Sequence, residues 1–299
     1  MCEASCGSLS QCNLKKKLRS VSIGYCGCND TTLRQLAELD LNELNISSDD
    51  ITDSSIAGLL AKQKNLQRLR LRCSNLTDST LNEILGRKIS SLALGSKKFS
   101  NDGICKLLAG TPSLNSISLE IESLNFKLAN RIGQMGQLSK LEIVTREFTE
   151  PCCAAIAKNR SIKDVWINGL LDDKCANILL TNRHLKKVTL KSPKISRRIF
   201  SVLSQLELTE LTIASESLSG HGIGDIRKIG TLQELDISES RLSLSIDDFK
   251  EMSLLLDLKI PNGEGNADIV QNIKKMHPSC RVWWLGKPKG TIRGRQSHR

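Results

Sequence analysis

Within residues 66–85, the spacing of the hydrophobic positions changes part-way along the segment. Leu69 and Leu71 are two residues apart, which is the period of an extended strand with one buried face. Leu81 and Leu85 are four residues apart and follow a Thr-Asp pair that can cap the first turn of a helix. The segment therefore predicts one strand followed by one helix.

The same unit recurs along most of the chain. The pattern LxxLxL, in which L stands for any large aliphatic residue, occurs eleven times, and successive copies start 23 to 25 residues apart. The first residues of the copies are Leu18, Leu41, Leu66, Ile89, Leu114, Leu138, Ile162, Leu185, Leu208, Leu232 and Leu255. One strand and one helix bury too little apolar surface to be stable alone, so we expect the units to stack on one another.

A repeat of this length and pattern resembles the leucine-rich-repeat family over residues 18–285. The resemblance implies an α/β solenoid shaped like a horseshoe, with about eleven parallel strands on its concave face and helices on its convex face. The tripeptides ITD at 51–53 and LTD at 76–78 are similar to the cysteine-containing repeats of F-box substrate receptors. The repeat ends of innate-immune nucleotide-binding receptors are a second resemblance.

The ninth position of the repeat departs from the family pattern. Leucine-rich repeats favour Asn or Cys there, because that side chain satisfies backbone groups of the turn. Only Cys26 agrees with this preference. We therefore expect another set of polar groups to serve the turns.

The two ends of the chain differ from the repeats. Residues 1–17 are expected to form an N-terminal cap or a flexible segment, and residues 286–299 a basic, disordered tail. Residues 277–286, HPSCRVWWLG, predict a twelfth, degenerate strand at the end of the array. Its adjacent tryptophans point to opposite sides of a strand, so one is expected to cap the array and the other to be partly exposed.

Composition limits the cellular setting. The 299 residues include only 3% aromatics, as expected when small aliphatic side chains are repeated through the core. The sequence has no run of 18 apolar residues and does not begin with a secretory signal, so we expect an intracellular protein, cytoplasmic or alternatively nuclear. The odd number of cysteines, eleven, agrees with free thiols in a reducing compartment.

The first 28 residues are rich in cysteine. Zinc binding is one interpretation, but only Cys2 and Cys6 have the spacing of a zinc ligand pair. Lipid attachment at either of these two cysteines is another, and an N-terminal cap with spare thiols is the third. We expect the third interpretation to hold, with no metal bound.

The sequence offers little for catalysis. Its four histidines are scattered, and neither a metalloprotease motif nor a P-loop is present. The segment GHGIG at 220–224 begins like the dinucleotide-binding pattern GxGxxG, but the position of the last glycine in that pattern is taken by Asp225. The segment therefore predicts a flexible turn. We therefore expect no enzymatic activity, no catalytic residue and no cofactor.

The residues between the leucines of each strand should face outward on the concave side. Arginines are concentrated in the third repeat, lysines in the eighth, and acids from Glu210 onward. We predict that a partner contacts the outward residues of this face. They are Arg68, Arg70, Arg72, Lys140, Glu142, Asp164, Trp166, Lys187, Thr189, Glu210 and Asp236.

The net charge of +11 raises the alternative of nucleic-acid binding, with basic segments at 183–198 and 286–299. Nucleic acid favours a continuous positive stripe with stacking aromatics, whereas these basic patches are separated. A protein partner with an acidic segment is therefore the expected ligand. The setting stays open between a ubiquitin-ligase adaptor, a ligand-sensing part of an innate-immune receptor and a host-directed effector, and the oligomeric state is not predicted.

Overall fold

The computed structural model describes residues 18–24, 28–261, 263 and 266–284. The predicted segments 1–17 and 286–299, with Cys2, Cys6, Cys12 and Cys26, lie outside these residues. The chain divides into two compact units whose boundary falls between Leu185 and Lys186. That residues 18–285 form one domain stays a prediction.

The first unit contains seven parallel strands that pair in chain order. They are Ser20–Ile23 (β1), Glu43–Ser47 (β2), Arg68–Arg72 (β3), Ser91–Gly95 (β4), Ser116–Glu120 (β5), Lys140–Glu147 (β6) and Asp164–Leu170 (β7). Equivalent repeat positions lie in register, so that Leu69 of β3 pairs with Leu44 of β2 and Leu92 of β4. Each strand is the predicted LxxLxL segment.

A helix follows each of these strands. The helices are Asp30–Leu36 (α1), Asp53–Lys62 (α2), Asp78–Ile84 (α3), Asn101–Gly110 (α4), Phe126–Gly133 (α5), Glu150–Ala157 (α6) and Asp173–Leu179 (α7). Thr77 caps α3 by accepting a hydrogen bond from the Ser79 N–H. Leu81 and Ile84 of that helix are buried, as their helical spacing predicts.

The second unit keeps the strands but shortens the connections. Lys187–Lys191 (β8), Glu210–Ala214 (β9), Glu234–Asp236 (β11), Asp257–Lys259 (β13) and Arg281–Trp283 (β14) form parallel pairs in that order. Ser219–His221 (β10) and Arg241–Ser243 (β12) form a separate two-stranded sheet. The last strand confirms the predicted twelfth repeat, with Trp283 54% exposed.

The predicted alternation of strands and helices is confirmed, but 3-10 turns take the place of α-helices in several connections of the second unit. Its α-helices are Phe200–Leu203 (α8) and Asn266–Met276 (α9), and 3-10 turns occupy Arg197–Ile199, Gly224–Lys228 and Ile246–Phe249. A 3-10 turn rises more per residue than an α-helix, so fewer residues complete the return to the next strand.

A buried hydrogen-bonding side chain at the eighth position of the repeat links neighbouring repeats. The hydroxyl of Ser48 donates to the Cys28 carbonyl at 2.7 Å, that of Ser96 to the Leu76 carbonyl at 2.7 Å, and that of Ser215 to the Ile195 carbonyl at 2.7 Å. The residues of this ladder are Ser48, Cys73, Ser96, Thr145 and Ser215. It supplies the polar groups that the sequence lacks at the ninth position.

A second ladder joins the helix starts of the first unit. The carboxylate of Asp53, the first residue of α2, accepts the Thr77 N–H at 3.0 Å, the Thr77 hydroxyl at 2.7 Å and the Thr80 hydroxyl at 2.5 Å. Asp78 accepts the Ser100 N–H at 2.9 Å in the next repeat. Burial would raise the pKa of Asp53, but these hydrogen bonds outweigh it and lower that pKa.

We expect Asp53→Ala to destabilise the protein by about 1–3 kcal/mol, because it removes a charged acceptor and leaves the Thr77 and Thr80 donors without it. Because the folded-state pKa is lowered, the carboxylate stabilises the fold fully above its unfolded-state pKa. The contribution is lost as pH falls through the folded-state pKa. Urea unfolding at neutral and acidic pH measures both effects.

Asp50→Ala is the matched control, because Asp50 is exposed and its carboxylate makes no hydrogen bond within the described residues. An equal loss of stability in the two variants would contradict a specific role for the Asp53 ladder.

Candidate functional site

The outward side chains of strands β2 to β7 form a surface that we call the polar face of the first unit. In β3, for example, Leu69 and Leu71 are buried while Arg68 and Arg70 are exposed. This alternation follows from the pleat, which sends successive side chains to opposite sides of the sheet. The predicted residues Arg68, Arg70, Arg72, Lys140, Glu142, Asp164 and Trp166 all lie on this face.

Three arginines of β3 form a basic row on the polar face. Arg68 pairs with Glu43 at 2.9 Å, and Arg72 pairs with Glu120 at 3.6 Å. Arg70 makes no ion pair within the described residues, but its charge helps to lower the pKa values of Glu43 and Glu142. The main cause of the lowered pKa of Glu43 is the hydrogen bond that its carboxylate accepts from Arg68. Arg70 therefore presents its guanidinium to solvent.

The strands beside the basic row carry small outward side chains. Ser91, Ala93 and Gly95 line β4, and Ser116 and Ser118 line β5. Neighbouring strands are about 4.8 Å apart, so these two strands form a low floor about 10 Å wide between larger side chains. Arg70 borders this floor on β3, and Glu142 borders it on β6 in register with Ser118.

Gly95 allows an ion pair to cross a whole strand. The side chain of Arg72 on β3 reaches Glu120 on β5 by passing over Gly95 of β4. A Cβ atom at Gly95 would lie 3.2 Å from Arg72 Cγ and 3.5 Å from Glu120 Cβ. The pair borders a cleft of about 460 Å³ at the carboxyl ends of β3 to β6, whose rim carries Lys97 and Arg146.

A second charged group lies on β6 and β7. Lys140 Nζ is 2.9 Å from Glu142 Oε1 and 3.7 Å from Asp164 Oδ2. The hydrogen bond with Glu142 is the main cause that raises the pKa of Lys140. Burial would raise the pKa of Glu142, but the Lys140 hydrogen bond and charge outweigh it and lower that pKa. The predicted residues here form one network.

Trp166 follows this network on β7 and lies in register with Glu142. Val165 and Ile167 on either side of it are 1% and 0% exposed, so the alternation of the strand directs the indole away from the core. The tryptophan is half-buried, so part of its ring is covered and part is available for contact.

The remaining predicted residues belong to the second unit. Lys187 forms an ion pair with Glu210, and Asp236 forms one with Lys259 at 3.0 Å. Burial would raise the pKa of Asp236, but hydrogen bonds from Ser238 and Lys259 lower it. Thr189 is half-buried on β8, in register with Thr212. Glu210 and Asp236, two acids of the predicted acidic stretch, are thus paired with lysines of adjacent strands.

Sequence reasoning missed Glu43, Gly95 and Glu120. Glu43 occupies the third position of its repeat, so an acid in register with Arg68 could have been found by aligning the repeats. Gly95 and Glu120 occupy the seventh position, as Arg72 does. The sequence did contain a signal for this pair: the seventh positions of three successive repeats hold an arginine, a glycine and a glutamate, so that a small residue separates two opposite charges.

Burial makes three of the described thiols poor nucleophiles. Burial raises the pKa of Cys175 to about 11 and that of Cys280 to about 11, and it raises the pKa of Cys153 still further. Within the described part of the chain, no group of three or more His, Cys, Asp or Glu side chains could hold a metal ion. No helix of these residues is both long and apolar enough to cross a bilayer.

No protein-family profile matches the sequence, and no curated protein matches it. Solved structures do match. A chain of the crystal structure of the yeast Rad7 and Elc1 complex has a TM-score of 0.66 and 16% identity, over 93% of this chain and 80% of that chain. An internalin of Listeria monocytogenes has a TM-score of 0.55 and 16% identity, over 91% of this chain and 88% of that chain.

A leucine-rich-repeat protein of Leptospira interrogans has a TM-score of 0.51 and 16% identity, covering 89% of this chain and 72% of that chain. The chain has the leucine-rich-repeat fold. The resemblance seen in the sequence is therefore confirmed for the architecture, with parallel strands and helical or 3-10 connections in each unit.

We expect Lys140→Gln to raise the pKa of Glu142. The substitution removes the charge and the hydrogen bond that oppose the effect of burial on this carboxyl. An NMR titration of the Glu142 side-chain carboxyl carbon measures the change. Lys163→Gln is the control, because Lys163 is exposed and makes no ion pair within the described residues. An unchanged pKa in Lys140→Gln would show that the network does not persist in solution.

Proposed function

We propose that this protein is a non-enzymatic interaction module that binds an acidic segment of a protein partner on the polar face of the first unit. The basic row beside the floor of small side chains is the observation that carries this proposal. Three guanidinium groups border a low surface, and Arg70 has no ion pair within the described residues. Carboxylates of a partner are suited to bind such groups through paired hydrogen bonds.

The dimensions of the face favour a single segment as the ligand. The six strands β2 to β7 have five gaps of ~4.8 Å, and five strand residues extend ~17 Å, so the projected area is ~410 Å². This is less than the ~800 Å² that one partner contributes to a standard interface. A helix is about 10–12 Å across and fits the floor of β4 and β5, as does an extended peptide.

The distribution of acids supports a protein ligand over a nucleic acid. Glu43, Glu120 and Glu142 lie among the arginines of the basic row, at ion-pair or electrostatic range. A phosphate backbone would pass close to these carboxylates, whereas a peptide can place its own basic or neutral residues opposite them. Trp166 supplies an apolar contact at the β7 side, of the kind that often anchors interfaces.

The cellular setting is also a proposal. We infer that the protein acts inside the cell, in the cytoplasm or the nucleus, as a subunit that brings a bound partner to other proteins. The similarity to a chain of the Rad7 and Elc1 complex supports a role within an assembly. An adaptor of a ubiquitin ligase and a ligand-sensing part of an innate-immune receptor are the two settings that this role would fit.

The test uses a fluorescein-labelled peptide of ten glutamates as the probe, with fluorescence anisotropy as the readout. We expect Arg70→Glu to weaken binding about tenfold or more, because it replaces an attraction by a like-charge repulsion. Arg160→Glu changes the net charge equally at an exposed site outside the strands, and should leave most of the affinity. Circular dichroism checks that both variants fold.

Two outcomes would contradict the proposal. Equal losses in Arg70→Glu and Arg160→Glu would indicate attraction by the net charge alone. Tighter binding of a single-stranded oligonucleotide of the same length, lost in Arg70→Glu, would assign the face to nucleic acid instead.

A further inference from the structure

Arg197 of the second unit has a guanidinium group that finds no acceptor among the described residues. It begins the 3-10 turn Arg197–Ile199, it is half-buried, and its Nε is buried with no hydrogen-bond partner. Its guanidinium carbon lies 5.9 Å from the ring centre of Phe200, so the two side chains are in cation–π contact. No hydrogen bond or ion pair reaches the guanidinium from the described residues. One of the five N–H donors of this group is thus buried without an acceptor among the described residues.

The glycine-rich segment at 220–224 leaves the space for this guanidinium. Gly220, Gly222 and Gly224 have φ values of 108°, 70° and 57°, a backbone region that other residues rarely adopt. A Cβ atom at Gly220 would lie 2.9 Å from Arg197 Nη1. One at Gly224 would lie 3.3 Å from Phe200 Cδ2 and 3.7 Å from Arg197 Nη2. The backbone of this segment can pack against the guanidinium because Gly220 and Gly224 have no side chains.

The acids of this region are already engaged. Asp248 is 7% exposed, and its carboxylate accepts the Ile223 N–H at 3.0 Å, the Ser245 N–H at 2.8 Å and the Ser245 hydroxyl at 3.3 Å. Asp225 pairs with Lys228 at 2.8 Å. Neither carboxylate is bonded to Arg197, so the acceptor for the guanidinium must come from outside the described residues.

We propose that Arg197 and the segment at 220–224 form a binding site for a phosphoryl group. The planar guanidinium offers paired N–H donors that match two oxygens of a phosphate. Lys194 and Arg198 on the Arg197 segment are exposed and add positive charge, which favours a dianion over a carboxylate. The site lies in the second unit and does not depend on the proposed function of the first.

The test is an NMR titration with sodium phosphate at pH 7 and constant ionic strength. We expect the Arg197 Nε–H signal and the amide signals of Gly220 and Gly224 to shift and to saturate in the millimolar range. Arg197→Gln should abolish the saturable shifts at the two glycines. Arg198→Gln removes the same charge from the neighbouring exposed residue, and should retain them.

Further ligands and variants decide the chemistry. O-phosphoserine should bind at least as well as phosphate if the natural ligand is a phosphate ester, whereas binding of phosphate alone would indicate the free ion. Acetate that binds as tightly as phosphate would overturn the phosphoryl assignment.

Arg197→Lys keeps the charge but loses the planar fork, so it should bind phosphate several-fold more weakly, and this comparison remains even if Arg197→Gln fails to fold. Saturable shifts that persist in Arg197→Lys at full affinity, or that are absent in the unmodified protein, would overturn the site.

Discussion

In both units, turns between a strand and the next helix bury backbone carbonyls that their own repeat leaves without a donor. In several repeats, the side chain at the eighth position of the following repeat supplies that donor, as Ser96 does for the Leu76 carbonyl and Ser215 for the Ile195 carbonyl. An unsatisfied buried carbonyl is costly, so a repeat is stable only when its neighbour is in place. The stacking of repeats within each unit, and everything that the stacked strands present, depends on these bonds.

This constraint acts on the buried side of the strands and leaves the other side free to vary. The leucines of adjacent strands lie in register, and the outward residues between them meet only solvent and each other. Charged side chains can therefore change from strand to strand without loss of the core. On β3 to β6 this freedom produces three arginines, a floor of small residues and a network around Lys140.

The strands could be predicted because their burial has a period of two. Each of the eleven LxxLxL segments contains a strand of the structure. The shortened connections of the second unit could not be predicted, since residues 197–199 and 224–228 contain one large apolar residue each, and a single residue has no spacing that would separate a 3-10 turn from a helix. The eighth-position ladder was missed because the family preference points to the ninth. The Arg72–Glu120 pair crosses a strand, and its partners are distant in sequence. That a partner contacts Trp166 stays a prediction; its side chain is half-buried.

The central claim is that an acidic segment binds the polar face of the first unit. A ten-glutamate peptide carrying a nitroxide label tests it most directly, because the label broadens the NMR signals of the nuclei close to it. We predict broadening at the backbone amides of β3 to β6 and at the indole N–H of Trp166, with the Trp283 indole unaffected. Broadening confined to the helices of the first unit, or to the second unit, would contradict the account.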